Sequence, residues 1–594
     1  MDRQGQLVYL LACALIAGGW SELRSVRSMR TTLLGIFKFP QTLQRSSGPT
    51  VDVQAPFVFR DITRQSGIAF QHITSSTRDK YMPETMGSGV VLFDFNNDGF
   101  VDVFLINSGS LHGDEPTAQM QSRLFTNNGN GTFSDVTSKS GIVLQSYGMG
   151  GCAADYDNDG WEDLYVTAFG GNVLLHNNGD GTFTDVTKKA DVALTSWSTS
   201  CGFGDINNDG YVDLFVVNYV DFGLMNNKYC GDYAKGIRAY CHPNVYNGLS
   251  DKLYLNNGKG TFTDVSRSSG IESTRGKGLG VVFGDYNNDG WLDIFVANDS
   301  VPNFLFVNQH DGTFLETALW AGVAVDGNGR PGAGMGTDMA DYDNDGWLDI
   351  FVTHLDLEAH TLYHNDHGLF AESYKSGVGR ATLPFVGFGA AFLDYDNDGL
   401  LDLVVANGNV LDNAAYFRDG ATYRQRKLLF HNEGNGAFRE IGQSAGPAIA
   451  RETVGRGLAT VDIDNDGFLD LLVTNNGGEP ELLHNEIDNS NNSVIIHTVG
   501  TRSNRDGIGA RLKLTVGSQT QTREIKAGSS YLSQSDVRAH FGLGLASQVD
   551  RLEIRWPSGD IDSLDRLPAN HIFTIVEGKG ITRKDSLHLR AFRN

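Results

Sequence analysis

Residues 155–163 read DYDNDGWED, and the pattern D-x-[DN]-x-D-G-x-x-D returns seven times in the 594-residue chain, each time between two apolar runs. Oxygen-bearing side chains fill positions 1, 3, 5 and 9. They are Asp94, Asp155, Asp205, Asp285, Asp341, Asp394 and Asp462 at position 1, and Asn96, Asp157, Asn207, Asn287, Asp343, Asp396 and Asp464 at position 3. Position 5 holds Asp98, Asp159, Asp209, Asp289, Asp345, Asp398 and Asp466, and position 9 holds Asp102, Asp163, Asp213, Asp293, Asp349, Asp402 and Asp470. Gly at position 6 permits the positive φ that folds the chain back. Hard oxygen donors at alternate positions around such a turn meet the needs of Ca²⁺, which takes about 6 to 8 oxygens. The pattern therefore predicts about seven Ca²⁺ ions.

The loops resemble the first half of an EF-hand loop, but no amphipathic helix comes after them. The next residues are β-rich instead: VFLIN after Asp102, LFVVN after Asp213, LVVAN after Asp402. A second phrase, as in LLHNNGDGTFTDVT from Leu174, joins two short alternating segments through an Asn/Gly turn. Each repeat then holds four strands, the acidic loop joining the first two. Repeats spaced roughly 50 to 80 residues apart predict an all-β, seven-bladed β-propeller over residues 57–487. Gly-x-Gly pairs precede six of the seven loops, for example Gly87/Gly89 and Gly148/Gly150, with Ser198 and Ser200 in the third. They mark crowded inner strands. The phrase FVFRDITRQSGI at Phe57 matches fourth-strand phrases but precedes the first loop, so residues 57–62 are expected to complete the last blade and latch the ring.

The DxDxDG loops with F-G and G-A neighbours, as in GFGAAFLDYDNDG from Gly387, resemble the FG-GAP or VCBS repeats of integrin α-like propellers. NRDGIGARLKL at Asn504, YLSQSDVRAHFGLG at Tyr531 and WPSG at Trp556 look like an ASPIC/UnbV domain. The order of the two motif sets is similar to that of the cartilage-acidic-protein-1-like family. That resemblance implies a secreted, calcium-binding propeller with a small C-terminal β domain, and it supplies no reaction. The alternation in VIIHTV, ARLKLTV and RLEIRW predicts a small β-sandwich over about residues 490–580, with 581–594 as a tail.

Net charge is −24, and the loop aspartates account for most of it, so seven divalent ions would leave about −10. No basic stripe is available to replace phosphate counterions, which argues against nucleic-acid binding. Leu7 to Trp20 is an apolar stretch of signal-peptide length after Arg3, and Leu10-Leu11-Ala12-Cys13 resembles a lipoprotein cleavage box. Residues 1–30 are therefore expected to be a signal peptide or membrane anchor and 31–56 a linker, with an extracellular, periplasmic or cell-surface location. Cys230 and Cys241 bracket part of the longest insertion and are expected to form a local disulfide. Cys152 and Cys201, on inner strands, are read as small buried fillers.

Thirteen residues after the first loop Asp stand Asn107, Asn218, Asn298, Asn407 and Asn475, with Ala168 and His354 in the other repeats. Together with Asp299 they would line the face opposite the ions, under the tyrosines of the third-repeat insertion, residues 219–252. Two readings stay open: a ligand face for an extracellular protein or glycan, or asparagines that cap their own turns. No G-x-S-x-G, HExxH or Walker motif is present, and no catalytic residue is assigned. An alternative enzyme reading places acid/base groups at the axial mouth, from Glu84 or from the cluster His354, Asp356, Glu358, His360, His364 and His367.

Overall fold

The computed structural model describes residues 58–111 and 117–588, so the N-terminal segment and linker expected over 1–56 lie outside the described residues. Within them, seven sheets each carry four antiparallel strands in the expected order. The inner strands are Val90–Phe93, Tyr147–Ala154, Ser198–Gly204, Gly278–Gly284, Thr337–Ala340, Gly387–Leu393 and Gly455–Val461. Each second strand begins on the position-9 aspartate, as in Asp163–Phe169 and Asp470–Asn475. Every inner strand packs against the next, and the seventh packs against the first. This is a β-propeller followed by a β domain.

The latch is present. Phe59–Asp61 pairs antiparallel with Glu481–Asn485, Phe59 opposite Asn485, and Thr63 Oγ1 accepts the Leu482 amide at 2.8 Å. Phe59 is fully buried against the sixth- and seventh-repeat core. A strand from the start of the described chain thus becomes the outer edge of the last sheet.

The C-terminal domain stacks two four-stranded sheets. One orders Ala539–Gly544, Asn492–Val499, His571–Val576 and Gly580–Ser586; the other orders Gln519–Glu524, Arg511–Val516, Gln548–Arg555 and Ile561–Pro568. Its core residues Val494, Leu512, Ile554, Trp556 and Phe573 belong to the same apolar cluster as Phe203 and Val216 of the third repeat. The two parts therefore share a core.

Between its sheets the domain sends residues 527–536 down the propeller axis. Ala527 O accepts the Phe203 amide at 3.2 Å, and Ser530 and Thr337 exchange backbone bonds. Ser533 pairs in parallel with Val90, and Gln534 forms two bonds to the Ala153 backbone at 2.9 and 3.0 Å. Here the inner-strand glycines find their cause. A Cβ on Gly89 would lie 2.3 Å from Leu532 O, and one on Gly150 would lie 2.8 Å from Leu532 Cα. Neighbouring strands crowd most of the other pairs, as expected, for example Asn107 O at Gly148 and Phe388 O at Gly336, and the inserted segment adds to that crowding at Gly89, Gly150 and Gly457.

Two disulfides are formed. Cys230 joins Cys241 as expected, and Cys152 joins Cys201, which corrects the reading of that pair as fillers. Cys152 stands three residues before its loop and Cys201 four, so they occupy opposite faces of their strands. Stacked neighbours bring those opposite faces together.

Candidate metal centres

Each acidic loop is folded by its own carboxylates. In every repeat the position-1 Asp accepts the amides of positions 5 and 6, as Asp155 accepts Asp159 N at 3.0 Å and Gly160 N at 2.7 Å. The position-5 Asp accepts the amide of position 7, Asp159 from Trp161 at 3.0 Å. The position-9 Asp accepts the amide of the last third-strand asparagine, for example Asn177 to Asp163 at 2.8 Å and Asn485 to Asp470 at 2.7 Å. Each of the four acid positions points into one small volume.

Two further asparagine sets bind the loops to one another, and the sequence reading passed over both. Position 4 is Asn in all seven copies and takes positive φ, 55° to 62°, which Asn tolerates better than most residues. Its Nδ2 donates to the position-6 glycine carbonyl of the following loop, from Asn97 to Gly160 O at 2.7 Å round to Asn465 to Gly99 O at 3.2 Å. The third-strand asparagines reach the other way: Asn177 Nδ2 donates to Phe95 O at 2.8 Å and Asn127 Nδ2 to Ile463 O at 2.8 Å. The loops form a closed, doubly bonded circle.

Do these residues fit a cation? Asp102 and Asp293 are fully buried, and one oxygen of each has no hydrogen-bond partner. The Oδ1 atoms of Asp157, Asp343 and Asp396 are equally out of solvent and unpartnered. A buried carboxylate oxygen without a donor is costly, and a divalent ion supplies what is missing. Burial pushes Asp102 up to about 8 and Asp205 and Asp349 to about 7, and a nearby positive charge would favour their ionised form. Donor atoms of Asp155, Asp157 and Asp163 lie within 4.8 Å of one another. The residues fit a divalent cation held by oxygen.

The third strand adds a group the sequence reading did not use. His176, His364, His431 and His484 project beside the acids of the second, fifth, sixth and seventh loops. His176 Nδ1 lies 3.0 Å from Asp163 Oδ1, and His364 Nδ1 lies 3.2 Å from Asp349 Oδ1. The contact with Asp349 raises His364 to about 9 despite its partial burial.

On the opposite face the asparagines follow the turn-capping reading. Asn107, Asn218, Asn298, Asn407 and Asn475 are all buried, and their amides serve nearby backbone: Asn218 donates to Ser250 O, Asn298 to Pro302 O and Asn407 to Arg426 O, at 2.9, 2.9 and 2.8 Å. Asp299 accepts the Tyr219 hydroxyl at 2.6 Å, and His354 is buried. The five asparagines brace turns, because each is buried with its amide spent on nearby backbone.

The His/acid cluster is dispersed as well. His354 and His360 are buried, His364 stands beside the fifth acidic loop, His367 lies exposed against Trp347, and Asp356 pairs with Arg418. Glu84 is buried, accepting Thr77 Oγ1 at 2.7 Å and the Tyr240 hydroxyl at 2.9 Å. The axial mouth is closed by Tyr531, Leu532, Met86 and Phe388 packed with Trp197 and Phe222. Insertion residues 219–252 span it, with Asn413 of the sixth repeat donating to Arg238 O at 2.9 Å. On that arm Met225 is wholly exposed, and Tyr233 and Tyr229 are exposed at 82% and 43%.

A ring of stacked sheets with acidic loops at its corners defines a repeat β-propeller. The FG-GAP-like repeat model matches residues 94–216 and 244–473 in overlapping units, and the FG-GAP repeat model matches 454–494. The chain belongs to the FG-GAP repeat family and carries an ASPIC and UnbV domain at residues 500–582. Among named relatives, cartilage acidic protein 1 of Homo sapiens is 28% identical over 355 residues, 57% of this chain and 50% of that protein. The Mus musculus protein is 29% identical over 321 residues, 52% of this chain and 46% of that one. The chain thus spans about half the length of the curated relatives it matches. Among solved structures, an Agrocybe aegerita lectin for non-reducing terminal N-acetylglucosamine aligns with TM-score 0.36 at 15% identity, over 60% of this chain and 80% of that one. The N-terminal part of BBS1 in complex with ARL6 aligns with TM-score 0.39 at 11%, over 73% and 98%. These structural likenesses are too distant to carry an argument about ligands.

Proposed function

We propose that the chain is an extracellular, non-enzymatic binding module. Divalent cations, Ca²⁺ first among them and about seven in number, stiffen a seven-bladed ring that holds out the arm 219–252 to a protein or glycan. The N-terminal apolar segment serves as export signal or membrane anchor. Two disulfides support an oxidising location. The observation that carries the reading is the arm itself: an exposed set of Met225, Tyr229 and Tyr233, pinned by Cys230–Cys241 and by bonds to Glu84 and Asn413.

Amphipathic rings held rigidly in solvent bind partners at low entropic cost, by stacking on sugars or packing on apolar side chains. Among the described residues no helix is long and apolar enough to span a bilayer. Glycan and extracellular-protein arrays probed with and without Ca²⁺ test the reading. A hit lost in Tyr233→Ala/Met225→Ala, with unfolding temperature unchanged, supports it; hits that ignore both substitutions would move the binding surface elsewhere.

A further inference from the structure

The seven loops divide into two kinds, and a distant residue divides with them. Position 3 is Asp in the second, fifth, sixth and seventh repeats and Asn in the first, third and fourth. The residue before the last third-strand asparagine is His176, His364, His431 or His484 in the first group, and Thr126, Leu255 or Val307 in the second. The match is complete across the repeats. Nothing in β propensity asks for it, because a strand edge accepts Thr, Val and His alike.

Geometry explains why the two positions vary together. In the first repeat Asn96 Nδ2 donates to Thr126 Oγ1 at 3.1 Å, so the third-strand side chain faces position 3. In the other group His176 Nδ1 stands 3.5 Å from Asp157 Oδ2, His364 Nδ1 3.4 Å from Asp343 Oδ2, and His431 Nδ1 3.6 Å from Asp396 Oδ2. The ring of His484 is turned, with Nε2 3.1 Å from Asp464 Oδ2. Two donors at right angles on an ion about 2.1 Å from each lie about 3.0 Å apart, and opposite donors about 4.2 Å apart. The nitrogen-to-oxygen separations fall in or near that interval. The Oδ1 atoms of Asp157, Asp343 and Asp396 have no hydrogen-bond partner, although they are shielded from solvent.

We propose that the four histidine-bearing loops form a second class of cation site, in which an imidazole nitrogen joins the aspartate oxygens to hold a borderline divalent ion of the Zn²⁺, Co²⁺ or Mn²⁺ kind. The three Asn loops remain all-oxygen sites for a hard ion. Ca²⁺ is served by carboxylates, carbonyls and water, whereas imidazole suits the first-row transition metals and Zn²⁺. The inference rests on the reading that the loops take cations at all. It adds a ligand and a selectivity to four of them.

The test uses the full chain saturated with Ca²⁺ and titrated with Co²⁺, read by visible absorption and by X-ray absorption at the cobalt edge. The expected result is uptake of about four equivalents of Co²⁺, one per His loop, with imidazole scattering, while about three Ca²⁺ stay bound. In H176Q/H364Q/H431Q/H484Q, Co²⁺ affinity falls by more than about tenfold and the imidazole signal is lost. The quadruple variant's fold is checked by retention of the remaining Ca²⁺. A gain-of-function variant guards against a misfolded one: N96D/T126H adds one further Co²⁺ with imidazole scattering. Seven Ca²⁺ bound with no Co²⁺ uptake, or Co²⁺ bound without imidazole, would overturn the inference and leave the histidines as struts for the carboxylates. Failure to bind either ion would instead overturn the cation reading itself.

Discussion

Asn465 of the seventh loop donates its Nδ2 to the carbonyl of Gly99 in the first, at 3.2 Å, and so closes a circle of seven like contacts. The two residues are 366 positions apart in sequence. The acidic loops are therefore more than ornaments on separate sheets: each loop's shape sets the seat of the next.

Removing that contact weakens closure. Asn465→Gly keeps the positive φ of 56° and loses the bond to Gly99 together with the one its Oδ1 accepts from Arg538 Nη1 at 3.1 Å, so it should cost about 2 kcal/mol. Asn465→Ala should cost about 1–2 kcal/mol more through left-handed strain. Denaturant unfolding of both variants checks the order; an Asn465→Gly variant as stable as the parent would show that the bonds contribute nothing, and equal effects of the two substitutions that the strain does not.

The axial insertion ties the two domains into one folding unit. Gly150→Ala drives a methyl to 2.8 Å from Leu532 Cα and Cβ and should destabilise by about 1–3 kcal/mol. Calorimetry should show the propeller and the C-terminal domain unfolding together, and the substitution should lower that single transition. Two separate transitions, with only one shifted, would contradict the shared core.

The bridge between inner strands should matter more than the one in the arm. Cys152 and Cys201 close a loop of 49 residues and Cys230 and Cys241 one of 11, worth about 4 and about 3 kcal/mol on chain-entropy estimates. Comparing C152A/C201A with C230A/C241A by chemical denaturation tests the ranking. The arm variant should in addition lose partner binding.

Acid should weaken the junction of the first and seventh repeats. His72 is buried, with Nε2 2.8 Å from Ser108 Oγ and Nδ1 accepting Gly477 N at 3.0 Å; burial, with Arg456 nearby, lowers its pKa to about 3. The unfolded imidazole takes a proton near 6.5 and the folded one does not. Its contribution is thus whole above pH 6.5 and declines as pH falls toward 3, by about 1.4 kcal/mol per pH unit. His72→Gln should start less stable at pH 7.5 and show a shallower loss between pH 6.5 and 4.5 than the parent. Parallel curves would show that His72 is protonated in the fold.

Legibility in the sequence tracks distance along the chain. The loop acids, the four strands of each repeat and the latch at Phe59 are local patterns repeated many times, so they were legible. The Gly-x-Gly pairs signalled tight quarters around the axis, and neighbouring strands supply most of them, but Leu532, several hundred residues beyond Gly89 and Gly150, is what crowds those two. The asparagines at Asn218, Asn298 and Asn407 looked like an amide ring because spacing reveals a face but not what covers it. Cys152 and Cys201 carried a usable signal in their one-residue offset, which puts them on facing sides of stacked strands. The match between Asp157 and His176, repeated at Asp343 and His364, was also present in the sequence. It emerges only when positions some twenty residues apart are compared between repeats.

Whether divalent ions in the acidic loops hold the ring rigid is decided by calcium titration of the chelator-treated chain in a calorimeter. The account predicts uptake at every loop and a large rise in unfolding temperature as ions bind, since binding to the folded state alone stabilises by about 4 kcal/mol per site at a thousandfold excess over Kd. An unfolding temperature that is the same with and without the ion would contradict it.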